Sequence, residues 1–138
     1  SRAGNGKSLK DFEVLPLVQV TVGNDLEACR IPTKQFLALY GGGMGARGKN
    51  FYNDHIKRLG YEEAAVKIQD LYLDGQKGAA IGSVPDELVD KVALVGSKER
   101  IRDRLGAWKD AAAKGQVGTM VVPASDLDTL RFLAEELL

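Results

Sequence analysis

Three short apolar runs limit what this chain can fold into. DFEVLPLVQVTVG closes on Gly23, VALVG covers residues 92–96, and VGTMVVP covers 117–123. Each is apolar on both faces, as expected of strands buried in a parallel sheet rather than half-exposed in an antiparallel one. Helical patterns separate and follow them, and strands alternating with helices imply an α/β fold with right-handed crossovers. The last two runs start about 25 residues apart, the repeat of one βα unit, while the first gap also holds a glycine tract and two further helices. Three strands are too few, because a parallel sheet needs cover on both faces and bare edges seek partners. The sequence therefore predicts either strands from another segment or chain, or a part of something larger.

The local signals are consistent with that order. In the first run, alternation puts Val18, Val20 and Val22 on one face and Leu17, Gln19 and Thr21 on the other, and Pro16 delays pairing. Asn24 or Asp25 caps a helix reaching about Tyr40, with Leu26, Cys29, Phe36 and Leu37 inward and Pro32 expected to kink or split it. Five glycines between 41 and 48 read as a loop. Asn50 then caps a short helix with Phe51, Tyr52, Ile56 and Leu59, stopped by Gly60, and a second runs from about Glu62 to Gly75. Aromatic residues at helical spacing, Tyr52, Tyr61, Tyr72 and Trp108, are read as core. Residues 75–84 read as a connector and Pro85 as the first-turn proline of PDELVDK. Ser97 caps a helix with Ile101, Leu105, Trp108 and Ala112 inward, and a last helix starts at Asp126. Residues 1–10 read as a flexible lead-in or the ragged start of a cut domain.

Charge and composition exclude several function classes. Nineteen basic residues balance nineteen acidic ones without a basic stripe, which argues against nucleic-acid binding. One cysteine, Cys29, and one histidine, His55, do not make a metal cluster. Apolar stretches stay under ten residues and no signal-peptide pattern opens the chain, so a cytoplasmic protein off the membrane is expected. GMGARG (43–48) matches G-x-G-x-x-G, and GMGARGKN nearly matches a phosphate-binding loop with Asn50 where Ser or Thr belongs. Both patterns need a strand before them, and here a helix precedes. The tract therefore reads as an inter-helix loop, with Arg47 and Lys49 able to touch a phosphate or ring. His55 lacks a partner constellation, and the acids of ELVDK and DLDTL read as solvated first-turn charges. No catalytic residue is assigned. Gln19 and Thr21 stand out as polar residues near the carboxyl end of a buried strand, where α/β folds hold ligands, and read either as satisfied core groups or as ligand contacts.

Taken together, VLPLVQVTVG, FLALYGGGMGARGKNFYNDHIKRLGYEEAAVKIQDLYLDG, VPDELVDKVALVGSKERIRDRLGAWKDA and VGTMVVP resemble the carboxy-terminal part of the bacterial luciferase-like superfamily. They are most like its deazaflavin-dependent (coenzyme F-420) oxidoreductase class from actinobacteria, over residues 10–137, and GGMGA followed by NFYND is the most specific piece. The chain departs from the pattern at IPTKQ and at AAAKGQVGT. The resemblance implies one partial domain over 1–138, about the last three βα units of a (β/α)8 TIM barrel, with 41–75 a helical insertion after the Gly-rich loop. A whole barrel needs about 250 residues. It also implies hydride transfer between coenzyme F-420 and a small organic substrate, or flavin-supported monooxygenation with FMN as the alternative cofactor. Cofactor contacts would fall at Gly42, Gly43, Met44, Asn50, Gly96 and Ser97, and Tyr52 would join Gln19 and Thr21 as substrate contacts. The intact parent would be a homo-oligomer, and the part alone inactive. The alternative is a stand-alone α/β binding or assembly module whose open sheet edges pair with a second copy.

Overall fold

The computed structural model describes residues 13–123 and 126–138. Its sheet is short. β1 (Gln19–Val22) pairs in parallel with β2 (Ala93–Gly96), Gln19 opposite Ala93 and Val22 opposite Gly96. VGTMVVP does not form the third strand that its composition predicts. It makes one parallel bridge, Leu17 to Val121, in which Val18 N–H reaches the Val121 carbonyl and Val121 N–H the Pro16 carbonyl, both at 2.9 Å. Prolines bound that bridge on each side: neither Pro16 nor Pro123 has an N–H to carry the ladder further.

The direction of these bonds fixes the order of the segments. Gly23 N–H donates towards β2, onto the Gly96 carbonyl at 2.9 Å, whereas Val18 N–H donates towards 117–123. Successive N–H groups of a strand point to opposite edges, so residues of opposite parity donate to opposite neighbours. β1 is therefore central, with β2 on one edge and 117–123 on the other.

That order puts helices on both faces, because right-handed crossovers running in opposite directions, β1 to β2 and then β2 back over β1 to 117–123, land on opposite sides. Val18, Val20 and Leu94 share one face and pack on Ile101 and Leu105 of α6 (Lys98–Ala113) and Phe132 and Leu133 of α7 (Leu127–Leu137). Ala93 and Val95 belong to the other core, with Cys29 and Leu37 of α1 (Leu26–Ala38) and Leu88 of α5 (Asp86–Val92). The same core takes Ile56 from α2 (Phe51–Arg58), Ile68 from α3 (Glu62–Leu73) and Ala80 from α4 (Lys77–Gly82).

Helix starts follow the sequence. Asp25, Asn50, Ser97 and Asp126 each accept a hydrogen bond from the backbone N–H three residues on. Four other expectations are corrected. α1 runs through Pro32 instead of splitting there; the missing N–H costs one bond, to the Ala28 carbonyl, and the packed face holds the rest. The glycine tract is not loop throughout, since Leu39–Gly43 is a π-helical turn continuing α1. The 75–84 connector contains α4, and Pro85 sits just outside α5 as its cap residue.

The π turn is glycine-rich for a packing reason. A Cβ on Gly42 would lie 2.6 Å from the Tyr72 Cβ, and one on Gly41 would lie 2.7 Å from Ile56 Cδ1. Gly106, in the middle of α6, meets nothing within 4 Å. Gly42→Ala should therefore lower stability by about 1–3 kcal/mol through overpacking. Gly106→Ala should raise it by about 0.5–1 kcal/mol. Urea unfolding midpoints of the two variants test both signs.

Candidate functional site

The residues singled out in the sequence fall into three groups. The first surrounds the π turn. Asn50, 2% exposed, donates through Nδ2 to the carbonyls of Tyr40 and Gly41 at 2.9 and 3.2 Å while its Oδ1 accepts from Asn53 N–H. Asn53, which the sequence reading missed, donates to the Gly41 and Ala65 carbonyls at 2.9 and 2.7 Å. The two amides thus satisfy carbonyls near the carboxyl end of the extended helix, which would otherwise be orphaned. Gly42 and Gly43 lie under the Tyr72 ring. The polar atoms of Asn50 and the space beside these glycines are thus used within the protein. Met44, at the rim, is exposed. Tyr52 is not core as its spacing suggested: it lies on the surface in a run of rings, Phe36–Tyr40 stacked at 4.2 Å and Tyr40–Tyr52 edge-on at 4.8 Å. Phe51, 71% exposed, continues it.

The second group is the end of β2. Gly96 has φ +115°, and a Cβ there would meet Arg100 Cδ at 2.8 Å. The turn it makes delivers Ser97 to the start of α6, where the hydroxyl accepts from Arg100 N–H at 3.2 Å. The Arg100 side chain folds back, its Nε donating to the Val95 carbonyl at 3.1 Å.

The third group is Gln19 and Thr21. With Val20, Pro32 and Pro123 they line a cavity of about 230 Å³. Gln19 Oε1 is buried and accepts no hydrogen bond, and neither does the hydroxyl of Thr33, one residue beyond Pro32 and 1% exposed. Among the described residues, no hydrogen bond or ring contact joins the three groups.

An ion cluster that the sequence reading did not find orders the second group. Arg30 is 8% exposed and holds Asp90 with two donors, Nε to Oδ1 at 3.2 Å and Nη2 to Oδ2 at 2.8 Å. It also reaches Glu27 at 2.5 Å and Asp86 at 3.2 Å. Arg100 meets Asp90 Oδ2 at 3.0 Å, Lys34 meets Asp86, and Arg104 donates to the Asp90 backbone carbonyl. The acids of ELVDK are thus not all solvated, which corrects the sequence reading: Asp90 is the junction of α1, α5 and α6. The signal was present as complementary stripes, Arg30 and Lys34 one turn apart on α1 and Asp86 and Asp90 one turn apart on α5. The hydrogen bond to Asp90 outweighs burial and keeps Arg30 charged well above its ordinary range. Burial pushes the Asp90 carboxyl up, but the Arg30 hydrogen bond and the charges of Arg30 and Arg100 together hold it below its usual value.

Among the described residues, no group of His, Cys, Asp or Glu could hold a metal ion, and no helix is long and apolar enough to cross a membrane.

Residues 1–115 match the luciferase-like monooxygenase family. The chain belongs to that family. A Mycobacterium tuberculosis protein named as a coenzyme F420-dependent oxidoreductase is 37% identical over 134 residues, which is 97% of this chain and 38% of that protein. Coenzyme F420-dependent tetrahydromethanopterin reductase from Methanopyrus kandleri has a similar fold, with a TM-score of 0.64 and 21% identity over 97% of this chain and 37% of its own. The chain thus spans well under half the length of either relative.

The Asp90 cluster yields a prediction with a definite sign. The folded-state carboxyl is depressed, so its contribution is present above the ordinary carboxylate value and disappears as pH falls through the folded one. Asp90→Asn should cost about 1–3 kcal/mol at pH 7. The gap between variant and parent should begin to narrow as pH falls below about 4 and close only below the depressed folded-state value. Denaturation at pH 7 and at about pH 2 decides it, and an undiminished gap at the lower pH would refute the charge argument.

Proposed function

We propose that this chain is part of a coenzyme F420-dependent oxidoreductase that moves a hydride between the deazaflavin and a small organic substrate. The observation that carries this reading is the 37% identity, across 97% of the chain, to the mycobacterial protein named for that chemistry. FMN is the alternative cofactor, supported by the family's description as monooxygenases. Copies of the complete enzyme associate on the same reading.

The residues at the end of β2 suit an anionic cofactor group. Gly96 and Ser97 bring the first turn of a 16-residue helix to the carboxyl end of a strand, where free N–H groups and the helix dipole favour negative charge. Arg100, pinned by Asp90 and the Val95 carbonyl, adds a fixed cation beside it. Met44 and Tyr52 are open to a ligand. Gly42, Gly43 and Asn50 act by shaping the turn that carries Met44. The bound coenzyme supplies the hydride chemistry, while these residues hold and orient it.

The same proposal makes the chain about the last three βα units of a (β/α)8 barrel. Barrel strands are neighbours in chain order and the helices form an outer ring. On that reading 117–123 lies beside β2 in the complete enzyme, not beyond β1, and α6 joins the face of α1. The attachment of 117–123 without a continuous ladder, by the Leu17–Val121 bridge and one further backbone bond from Gly118 N–H to the Val14 carbonyl, supports such an exchange.

Fluorescence titration tests the cofactor: the full-length protein should bind coenzyme F420 tightly and the 138-residue chain should not. Tight binding by the chain alone, or a full-length protein that takes only FMN, overturns the reading. For the barrel, Leu17→Cys combined with Val121→Cys should form a disulfide in the short chain but not in the full-length protein.

A further inference from the structure

We infer that the outer edge of β2 is a strand-acceptor site plugged by Arg100, and that it takes a segment apolar on both faces, as residues 117–123 are. Backbone direction sets the site. Gly23 N–H donates to the Gly96 carbonyl, so Gly96 faces β1. Neighbouring residues of a strand turn their backbone groups to opposite edges, so Val95 presents its N–H and carbonyl to the side away from β1. Among the described residues no strand pairs there. Yet the edge is not open to water: all four residues of β2 are buried, Val95 to 1% exposure. Backbone groups at that depth need partners. Arg100 supplies one by folding back over the edge, its Nε donating to the Val95 carbonyl at 3.1 Å. A charged side chain laid across an edge keeps other strands off it.

The plug answers only half of what the edge presents. A guanidinium donates and cannot accept, so it serves the Val95 carbonyl but not the Val95 N–H. A strand does both, one N–H replacing Arg100 on the carbonyl and one carbonyl taking the N–H. Arg100 can leave without becoming unpaired, because it also holds Asp90 Oδ2 at 3.0 Å, and that bond keeps the cation beside the Gly96 turn. Space exists on this side. A cavity of about 290 Å³ lies between residues 91–94 and Asp103, Arg104, Ala107 and Trp108 of α6, and no residue of β1 lines it. A strand entering there meets the core of Ala93 and Val95 on one face and that of Leu94 on the other, so it must be apolar on both. VGTMVVP has that composition and is loosely placed where it sits. The Leu17–Val121 bridge and one bond from Gly118 N–H tie it to the segment leading into β1, and Val121 is 41% exposed. Any strand of this kind would serve, so the site does not depend on the barrel reading.

The test is an NMR titration of the ¹⁵N-labelled 138-residue chain with a synthetic peptide, VGTMVVP flanked by a lysine at each end. Arg100→Met should bind it at least about tenfold more tightly than the parent. The shifts should fall on the amides of Leu94, Val95 and Gly96, with hydrogen exchange at Val95 slowed. Arg100→Lys can hold Asp90 but has no second nitrogen for Val95, so it should bind like Arg100→Met while keeping the ion pair. The same peptide with Met120→Lys and Val121→Lys, one charge on each face, should not bind. Either Arg100 variant binding no better than the parent, shifts confined to residues 14–18, or no saturable binding by any form overturns the inference. The Leu17→Cys, Val121→Cys pair in the full-length protein decides the barrel reading separately, and a disulfide there leaves the peptide result standing.

Discussion

A parallel pair of four-residue strands cannot stand with either face bare, and the rest of this structure answers that constraint. Both faces of β2 are apolar and all four of its residues are buried, so the chain must bring helices to each side of the sheet. Its long first crossover gathers five helices and a π turn over Ala93 and Val95. The short second crossover and the last helix cover Val18, Val20 and Leu94. The two cores lie on opposite faces of the sheet, which makes β1 and β2 their shared wall.

The ion cluster around Arg30 serves a different purpose from the cores. Removing charges from water is expensive, and a buried ion pair is weak grounds for claiming net stability. What the cluster does supply is register. One guanidinium binds carboxylates on α1 and α5, Asp90 passes the connection to Arg100 on α6, and Arg100 closes on the carbonyl of Val95. The turn at Gly96 and Ser97 is therefore set by three helices rather than by its own loop. A fixed helix start beside a fixed cation is the part of this chain best prepared to meet an anion.

Much of this was legible in the residues, for local reasons. The caps at Asn50, Ser97 and Asp126 are properties of a few adjacent side chains, and each forms as read. The pairing of VALVG with the end of VLPLVQVTVG follows from their apolar faces. What was not legible depends on partners far away in sequence. Whether Pro32 ends a helix depends on packing around α1 that outweighs one lost hydrogen bond. Whether VGTMVVP becomes a strand depends on a neighbour able to continue its ladder, and the segment leading into β1 meets it at Pro16. Phe51 and Tyr52 have core spacing, yet α2 is only eight residues long and turns Asn53 and Ile56 inward instead.

The glycine tract shows why a pattern must be weighed with its surroundings. GMGARG has the letters of a dinucleotide loop, but that loop works by presenting free N–H groups after a strand. Here the tract leaves a π turn whose carbonyls are taken by Asn50 and Asn53 and whose open side is filled by Tyr72. The glycines are small so that α3 can approach, not so that a phosphate can.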